Sequence, residues 1–536
     1  MSARAVPGST ANSGARRSAG PFLLLLAIYV LLLAGYVSLR YGGRVVQDDA
    51  TALTLASQSV LAGATIAPPG GYPHGYAYPT LNTFLAHLTG ASIESLQSSI
   101  QPLLVVLLVP ISFAAYRSLT GRRRVAMLAS LLLFLSPEFL FEATRSSHAK
   151  MTWLLALTML FILARSLRPG RHPGWLVPWV AAFYLTTFAL ITSNTFFASG
   201  YIFGIAFAFT TTLILLSLKR VPPALGAPMR RLSYVTASTW LLVFLFVFYL
   251  YPPARSVFGE LRSTLDRLSV FLLNVEPTAG VDPYAYTQST WLSLGVYLAL
   301  TAFNWAVLLL SFAVWLRQGW LLWMRRIDMP AHRLLLWLLY GSFGFLMVLS
   351  VLVDLSGGLS TNLQLRIFAH FLLVGIPLAS EGIFALIAWA RRNRPSPLAR
   401  AAPVALVALL SLFALGALLK ITNEPLLSNQ WSFYTEEERR SAQWVGSHVR
   451  NNQVWTGRDF RLPTVARAYG NWSQQNIRIN RGGIPVNARY VLWSDVSQER
   501  ADRIGEPLPD TRQSLIVYDA GGAELYYSRP KTPYQR

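Results

Sequence analysis

Eleven long apolar runs constrain this chain more than any other feature. They lie at about 21–39, 102–119, 125–141, 151–167, 175–192, 201–218, 233–251, 291–316, 334–353, 366–390 and 401–420. A bilayer core about 30 Å thick is crossed by roughly 20 predominantly apolar helical residues. A chain with runs of that length repeated over its first four-fifths is a polytopic α-helical membrane protein of about 11 transmembrane helices. Its charged fraction agrees, at 13% with a mean hydropathy of +0.41, where soluble domains carry about 25%.

The net charge of +22 invites a nucleic-acid reading, but its distribution answers that reading. If the N-terminus and the loops after even-numbered runs share one side, that side holds 22 basic residues and only two acids, Asp328 and Glu381. The opposite loops hold eight basic residues against ten acids. Basic residues concentrate in cytoplasmic loops, so the excess sets topology and calls for no nucleic acid. The expected arrangement is a multi-pass protein of the plasma membrane. Its N-terminus is cytoplasmic and, with an odd number of spans, its C-terminal region is extracytoplasmic. Residues 1–20 are Ser/Ala/Gly/Arg-rich and read as a disordered cytoplasmic N-terminus. There are no cysteines, which excludes disulfides and thiolate chemistry.

Residues 21–420 form the expected transmembrane domain, with a large first outer loop at 40–101. Within that loop, Leu53, Ala56, Val60 and Leu61, and later Leu81, Phe84, Leu85 and Leu88, recur at helical spacing. This predicts two short helices lying in the membrane interface. Between them a Pro/Gly-rich stretch, 68–79, carries Tyr72, His74, Tyr76 and Tyr78, rings expected at headgroup level as substrate contacts. The fourth outer loop repeats the amphipathic pattern through Phe258, Leu261, Leu265, Leu268 and Leu272. From 421 to 536 charge becomes frequent and apolar runs shorten. Thr435 caps a helix reaching Val449, strands are expected at 489–493 and 514–518, and a turn at 519–522 leads into a closing strand at 523–527. This predicts a small extracytoplasmic α/β domain.

Three constellations could carry chemistry. The first is Asp48 and Asp49, vicinal carboxylates directly after the first span. The plainer account is a helix cap. The pair, followed by the aromatic loop, favours function: a carboxylate can take the proton of an acceptor hydroxyl, and a vicinal pair can hold a divalent cation such as Mg or Mn against a phosphate leaving group. The cation is optional, because lipid-phosphate donors can depart without it, so no cofactor is required. The second is Glu138, Glu142, Arg145 and His148 at the end of the third run. Continued helix would place these on one face, and ionisable groups at membrane depth are functional candidates; a structural Glu–Arg pair explains them equally. The third is Arg366, with His370 one turn further on, at the mouth of the tenth run. Arginine suits bidentate phosphate binding, and a snorkelling interfacial arginine is the alternative. No Walker loop, dinucleotide fingerprint or His-x-x-x-His pair is present.

These residues together resemble the GT-C superfamily of integral-membrane glycosyltransferases. The resemblance rests on Gln47-Asp48-Asp49-Ala50, the Tyr-Pro-His-Gly-Tyr-Ala-Tyr-Pro stretch at 72–79, Ser136-Pro137 leading to Ser146-Ser147-His148, and Leu365-Arg366-Ile367-Phe368. The segments 435–445 and 518–527 are similar to the small outer domains of the group around protein mannosyltransferases and aminoarabinose transferases. The resemblance implies a polyprenyl-phosphate sugar as donor, an acid of the first loop (Asp48 or Asp49) as catalytic base, and basic residues, here Arg145, Lys150 and Arg366 with His370, gripping the lipid phosphate. Glu142 and His148 join the expected substrate contacts. The Trp-Trp-Asp-Tyr-Gly signature of oligosaccharyltransferases is missing, which argues against transfer of a whole glycan to asparagine.

The expected function is transfer of a sugar from a polyprenyl-phosphate carrier to a glycan, lipid or protein acceptor at the outer face. A non-catalytic membrane scaffold or glycan-assembly and export partner, binding through its outer domain, is the alternative. A transporter is disfavoured by the near absence of acids and lysines within the runs, Glu138 and Glu381 excepted.

Overall fold

A computed structural model describes residues 19–40, 48–63, 74–167, 176–219, 226–274, 294–324, 326–327, 329–355, 363–393, 397–421, 434–449, 454–456, 462, 465, 477–478, 489–504 and 514–528. The chain begins with α1 (Ala19–Arg40), followed by two short helices, α2 (Asp48–Leu61) and α3 (Ala77–Thr89). The bundle continues with α4 (Ile93–Thr120), α5 (Arg123–Leu133), α6 (Pro137–Thr144), α7 (Ala149–Ser166), α8 (Leu176–Ser193), α9 (Thr195–Ser217) and α10 (Gly226–Leu245). After an amphipathic α11 (Arg255–Asn274) come α12 (Leu294–Trp323), α13 (Ala331–Leu355), α14 (Leu363–Asn393) and α15 (Pro397–Ile421). Among the described residues, each of the eleven apolar runs falls mainly on helix. Eight of the described helices are long and apolar enough to cross a membrane, and nine if α5 and α6 count as one. Pro178–Ser193 and Tyr234–Leu250 are shorter apolar helices. The helix begins at Ala19, inside the segment read as disordered, and residues 1–18 lie outside the described residues.

The run at 125–141 is not one straight span, as expected, but two helices meeting at 67°. Pro137 explains the break. A residue before proline is driven out of the helical region, and Ser136 is extended at ψ 116, its hydroxyl capping α6 by accepting from Phe139 N at 3.4 Å. Proline then occupies the first turn of α6, where no donor is needed. A second proline shapes α4. Pro102 lacks the N–H that would bond to the Ser98 carbonyl. The helix runs through a π turn, Leu96–Ile100, and the freed Ser98 carbonyl accepts from the Ser38 hydroxyl of α1 at 3.0 Å. Single π turns inside α-helices frequently mark functional sites, and this one turns Gln97 and Gln101 into the protein.

One apolar core runs through the bundle, from Val30 of α1 to Ala417 of α15. Its central seam joins α12, α13 and α14. Trp315 and Trp337 stack with centroids 5.3 Å apart, and each indole N–H donates to the other's carbonyl, at 2.9 and 3.0 Å. At the end of the bundle away from α2 and α3, Glu381 accepts from Arg333 at 2.6 Å and from Gln318 at 2.9 Å.

A separate core gathers Tyr434, Ala442, Val445, Val449, Val454, Leu492 and Leu525. It lies between α16 (Glu436–His448) and a five-stranded sheet of β1 (Val454–Trp455), β2 (Ile477–Arg478), β3 (Tyr490–Ser494), β4 (Leu515–Asp519) and β5 (Ala523–Tyr527), with α17 (Asp495–Ile504) after β3. The order is β2-β1-β3-β5-β4, parallel through β2-β1-β3 and antiparallel through β3-β5-β4. The expected cap is present as a full capping box, Thr435 and Glu438 exchanging backbone bonds. The expected 519–522 turn closes on Gly521, whose φ of 91° suits glycine.

Candidate active site

The residues singled out in the sequence gather unevenly around α2, α3 and the short turn between α6 and α7. Asp48 and Asp49 open α2; their side chains lie outside the described residues. The inward face of α2 is Ala50, Thr51, Leu53, Thr54 and Ser57, all buried. The Thr54 hydroxyl sits between the Ala50 carbonyl, at 2.9 Å, and Gln97 Oε1. Gln97 Nε2 donates to the Tyr78 hydroxyl at 3.5 Å, and that hydroxyl donates to the Ser146 carbonyl at 3.2 Å. Beneath this chain, Gln101 Nε2 donates to Asn82 Oδ1 at 2.8 Å, while Thr83 donates to the Ser57 carbonyl at 3.2 Å. A buried polar layer therefore joins α2, α3, the π turn and the α6–α7 turn.

Of the four rings expected at headgroup level, Tyr78 is buried instead, while His74 and Tyr76 are half-buried. Tyr72 lies outside the described residues. The His74 carbonyl accepts from Thr195 N at 2.7 Å. Gly75, at φ 141°, lies so close to the Thr192 carbonyl that a Cβ there would overlap it. This strap across the α8–α9 junction turns Tyr76 inward, against Phe246 at 5.7 Å and Tyr251 at 5.4 Å. Tyr78 is 2% exposed. Burial pushes its phenol above the ordinary tyrosine range, so it keeps the proton it donates to Ser146. The apolar faces turned outward belong to α3, through Phe84 and Leu88.

The helix expected to carry Glu138, Glu142, Arg145 and His148 on one face also ends early. α6 stops at Thr144, and Arg145 is extended at ψ 153. The turn is held by Lys150, whose ammonium donates to the Arg145 carbonyl at 2.6 Å and the Ser147 carbonyl at 3.1 Å. The Glu142–Arg145 pair nevertheless forms, at 2.8 Å. Arg145 lies 4.8 Å over the Phe141 ring, which Lys420 of α15 also approaches at 5.6 Å. Lys420 reaches Glu138 at 3.8 Å. His148 meets Asn194, Nε2 to Nδ2 at 2.7 Å. Asn194 spends its oxygen capping α9 through Phe197 N at 2.9 Å. Its amide therefore donates, His148 Nε2 accepts, and the proton of a neutral His148 ring sits on Nδ1.

Lys150 is the unusual member. It is 2% exposed, and among the described residues its ammonium has two carbonyl partners and no carboxylate. A buried cation without a counter-charge is costly, and an anion would lower that cost.

Arg366 stands in the first turn of α14, its side chain outside the described residues. The buried Asp354 carboxylate fixes that turn, accepting from Leu363 N at 2.9 Å and Gln364 N at 2.8 Å. His370 is 1% exposed. Its Nε2 donates to the Phe197 carbonyl at 3.0 Å, and its ring stacks on Phe197 at 3.8 Å. There it ties α9 to α14 within the core. Among the described residues no group of three or more His, Asp or Glu could hold a metal ion. Sequence reasoning passed over Gln97, Asn194 and Asp354. Only Asn194 carried a signal, as a helix-capping residue ahead of an apolar run.

No family model and no curated protein matches the sequence. Solved structures do. The Archaeoglobus fulgidus oligosaccharyltransferase, in complex with Zn and sulfate, superimposes over 87% of this chain and 68% of its own, at 12% identity and a TM-score of 0.55. The same enzyme tethered to an acceptor peptide containing the NVT sequon covers 94% and 74%, at 13% identity and a TM-score of 0.50. ArnT from Cupriavidus metallidurans in the apo state covers 96% and 100%, at 13% identity and a TM-score of 0.49. At these identities the likeness concerns architecture alone: the chain shares the polytopic helical fold of the Archaeoglobus fulgidus oligosaccharyltransferase.

Proposed function

We propose that the protein transfers a sugar from a polyprenyl-phosphate carrier to an acceptor hydroxyl of a glycan, lipid or protein at the extracytoplasmic face of the cell membrane. The observation that carries this reading is Lys150, a buried ammonium beside Arg145 with no carboxylate partner among the described residues. Arg145 adds a second cation and Glu142 one negative charge, so the turn keeps a net positive charge suited to a phosphate. In the reaction the bond from the sugar's anomeric carbon to the phosphate oxygen breaks, its electron pair leaving with the phosphate. A bond from the acceptor heteroatom to the same carbon forms, and Asp48 or Asp49 takes the acceptor's proton. Lys150, Arg145 and Arg366 stabilise the departing phosphate. A divalent cation held by the acid pair could share that role, but no step depends on it. The Arg-rich loops at the opposite end support a cytoplasmic N-terminus.

The test is sugar transfer by purified protein from a panel of radiolabelled polyprenyl-phosphate hexoses and pentoses, wild type beside Asp48→Asn and Asp49→Asn. One of the two variants is expected to lose about 100-fold or more in kcat. Full turnover in both would remove the acid pair from the chemistry. The scaffold reading draws on Leu515 and Ile516, exposed on the edge strand β4. It predicts that deleting 421–536 abolishes function while both Asp variants behave as wild type.

A further inference from the structure

Among the described residues, one hydrogen bond joins the C-terminal domain to a wall of the candidate site, and an ion pair at the end of α15, the helix that leads into the domain, reaches another. Tyr434 is 5% exposed and part of the domain's own core. Its hydroxyl reaches back 383 residues to the Thr51 hydroxyl of α2, at 3.1 Å, in a buried hydrogen bond. Lys420, one residue before the end of α15, makes the ion pair with Glu138 of α6 described above. The chain entering the domain therefore contacts both α2 and α6.

α2 is a helix that needs such a contact. Of its buried residues, among those described, only Leu53 is a large apolar group; the others are Ala50, Thr51, Thr54 and Ser57. Apolar burial is non-directional and here small, so it sets the rotation of α2 weakly. Hydrogen bonds are directional, and the inward hydroxyls are the groups that define how α2 is turned. Thr54 is fixed from the bundle side by Gln97. Thr51, almost one turn nearer the acid pair, is fixed by Tyr434. A rotation of α2 by one residue would swing Asp48 and Asp49 by about 100° around the helix axis.

We propose that the C-terminal domain is a positioning part of the active site, its Tyr434 hydroxyl locking the rotation of α2 and so the aim of the Asp48–Asp49 pair. Tyr434 is a positioning residue that acts through Thr51 and α2. The inference rests on the glycosyltransferase reading for its kinetic arm and on contact geometry alone for its structural arm.

The experiment compares full-length wild type, Tyr434→Phe, Thr51→Val, the double variant and Thr51→Ser, by transfer kinetics and by hydrogen exchange of the α2 amides. Tyr434→Phe and Thr51→Val are each expected to lower kcat about threefold to tenfold, the rate equivalent of one ordinary hydrogen bond. Donor KM should stay within about twofold. The double variant should be no slower than the slower single variant, as for two halves of one contact, and Thr51→Ser should keep wild-type kcat. Exchange should quicken across α2 in both single variants and stay unchanged in α7. Multiplying losses in the double variant, or unchanged α2 exchange in the single variants, would overturn the proposal. If the wild type transfers no sugar from any donor, the functional reading fails separately. Exchange then decides alone: faster α2 exchange in both single variants upholds the lock, and unchanged exchange overturns it.

Discussion

Lys150 and Glu381 are both buried ionisable groups on membrane-spanning helices, at opposite ends of the bundle, and they differ in what surrounds them. Glu381 is neutralised inside the protein by Arg333, at 2.6 Å, and also accepts from the neutral Gln318 amide at 2.9 Å. Lys150 has only carbonyl oxygens among the described residues, Arg145 at 2.6 Å and Ser147 at 3.1 Å. Burial of a charge within a membrane is a functional signal by default. The two ends sharpen that rule: a charge whose counter-charge is built in is explained by the fold, and one with no counter-charge among the described residues is a candidate for a ligand.

The largest expected effect follows from that difference. Lys150→Met keeps the length of the side chain and removes the cation. Donor KM should rise at least about 30-fold, because removing one partner of a desolvated charge contact costs about 2–5 kcal/mol. Transfer kinetics across donor concentrations measure it, and an unchanged donor KM would separate Lys150 from phosphate binding and erase the contrast with Glu381. Gly75→Ala comes next. It places a methyl group against the Thr192 carbonyl at a φ of 141°, and strain plus overlap should lower stability by about 3 kcal/mol. Thermal unfolding of the detergent-solubilised protein reads it, and a wild-type midpoint would mean that the strap is not what turns Tyr76 inward.

At the opposite end, Glu381→Leu leaves Arg333 without its acid. The guanidinium is 27% exposed and partly solvated, so the expected loss is about 1–3 kcal/mol, below the full cost of breaking a buried pair. Transfer activity at a temperature where the variant is folded should stay within about twofold. Adding Arg333→Leu should recover part of the lost stability, since replacing both charges removes the unpaired one. A large loss of activity in Glu381→Leu would give this end a role in the reaction and undo the distinction.

The architecture was readable because hydropathy is a local property. Among the described residues, each of the eleven runs lies mainly on helix, and the Thr435 cap and the strands around Gly521 fall where their turn chemistry placed them. The break at Ser136 also had a local signal, Pro137, which a continuous apolar run concealed. The candidate site was readable only in part. Gln97 lies in the π turn that precedes Pro102 and is buried there, and no periodicity of the polar residues announces that. The inward turn of Tyr76 and Tyr78 depends on the fit of Gly75 against Thr192, 117 positions later. The Thr51–Tyr434 bond spans 383 positions. Pairings at such separations leave no trace in one sequence, because nothing local requires them.

The smallest expected effect asks whether the polar layer at the site end serves chemistry or only packing. Tyr78→Phe removes the hydroxyl that accepts from Gln97 and donates to the Ser146 carbonyl, while the ring and its edge contact with His148 at 6.3 Å remain. Removing one buried hydrogen-bonding group should cost about 1 kcal/mol of stability, less than Glu381→Leu at the other end. If the layer sets the geometry of the α6–α7 turn, kcat should fall about threefold to tenfold, a loss that Glu381→Leu does not share. Measured together, the two variants cross: the site-end change is the milder for unfolding and the harsher for turnover. Parallel effects on both quantities would mean that the layer holds the fold together in the way the Arg333–Glu381 pair does, and that Lys150 alone distinguishes the two ends.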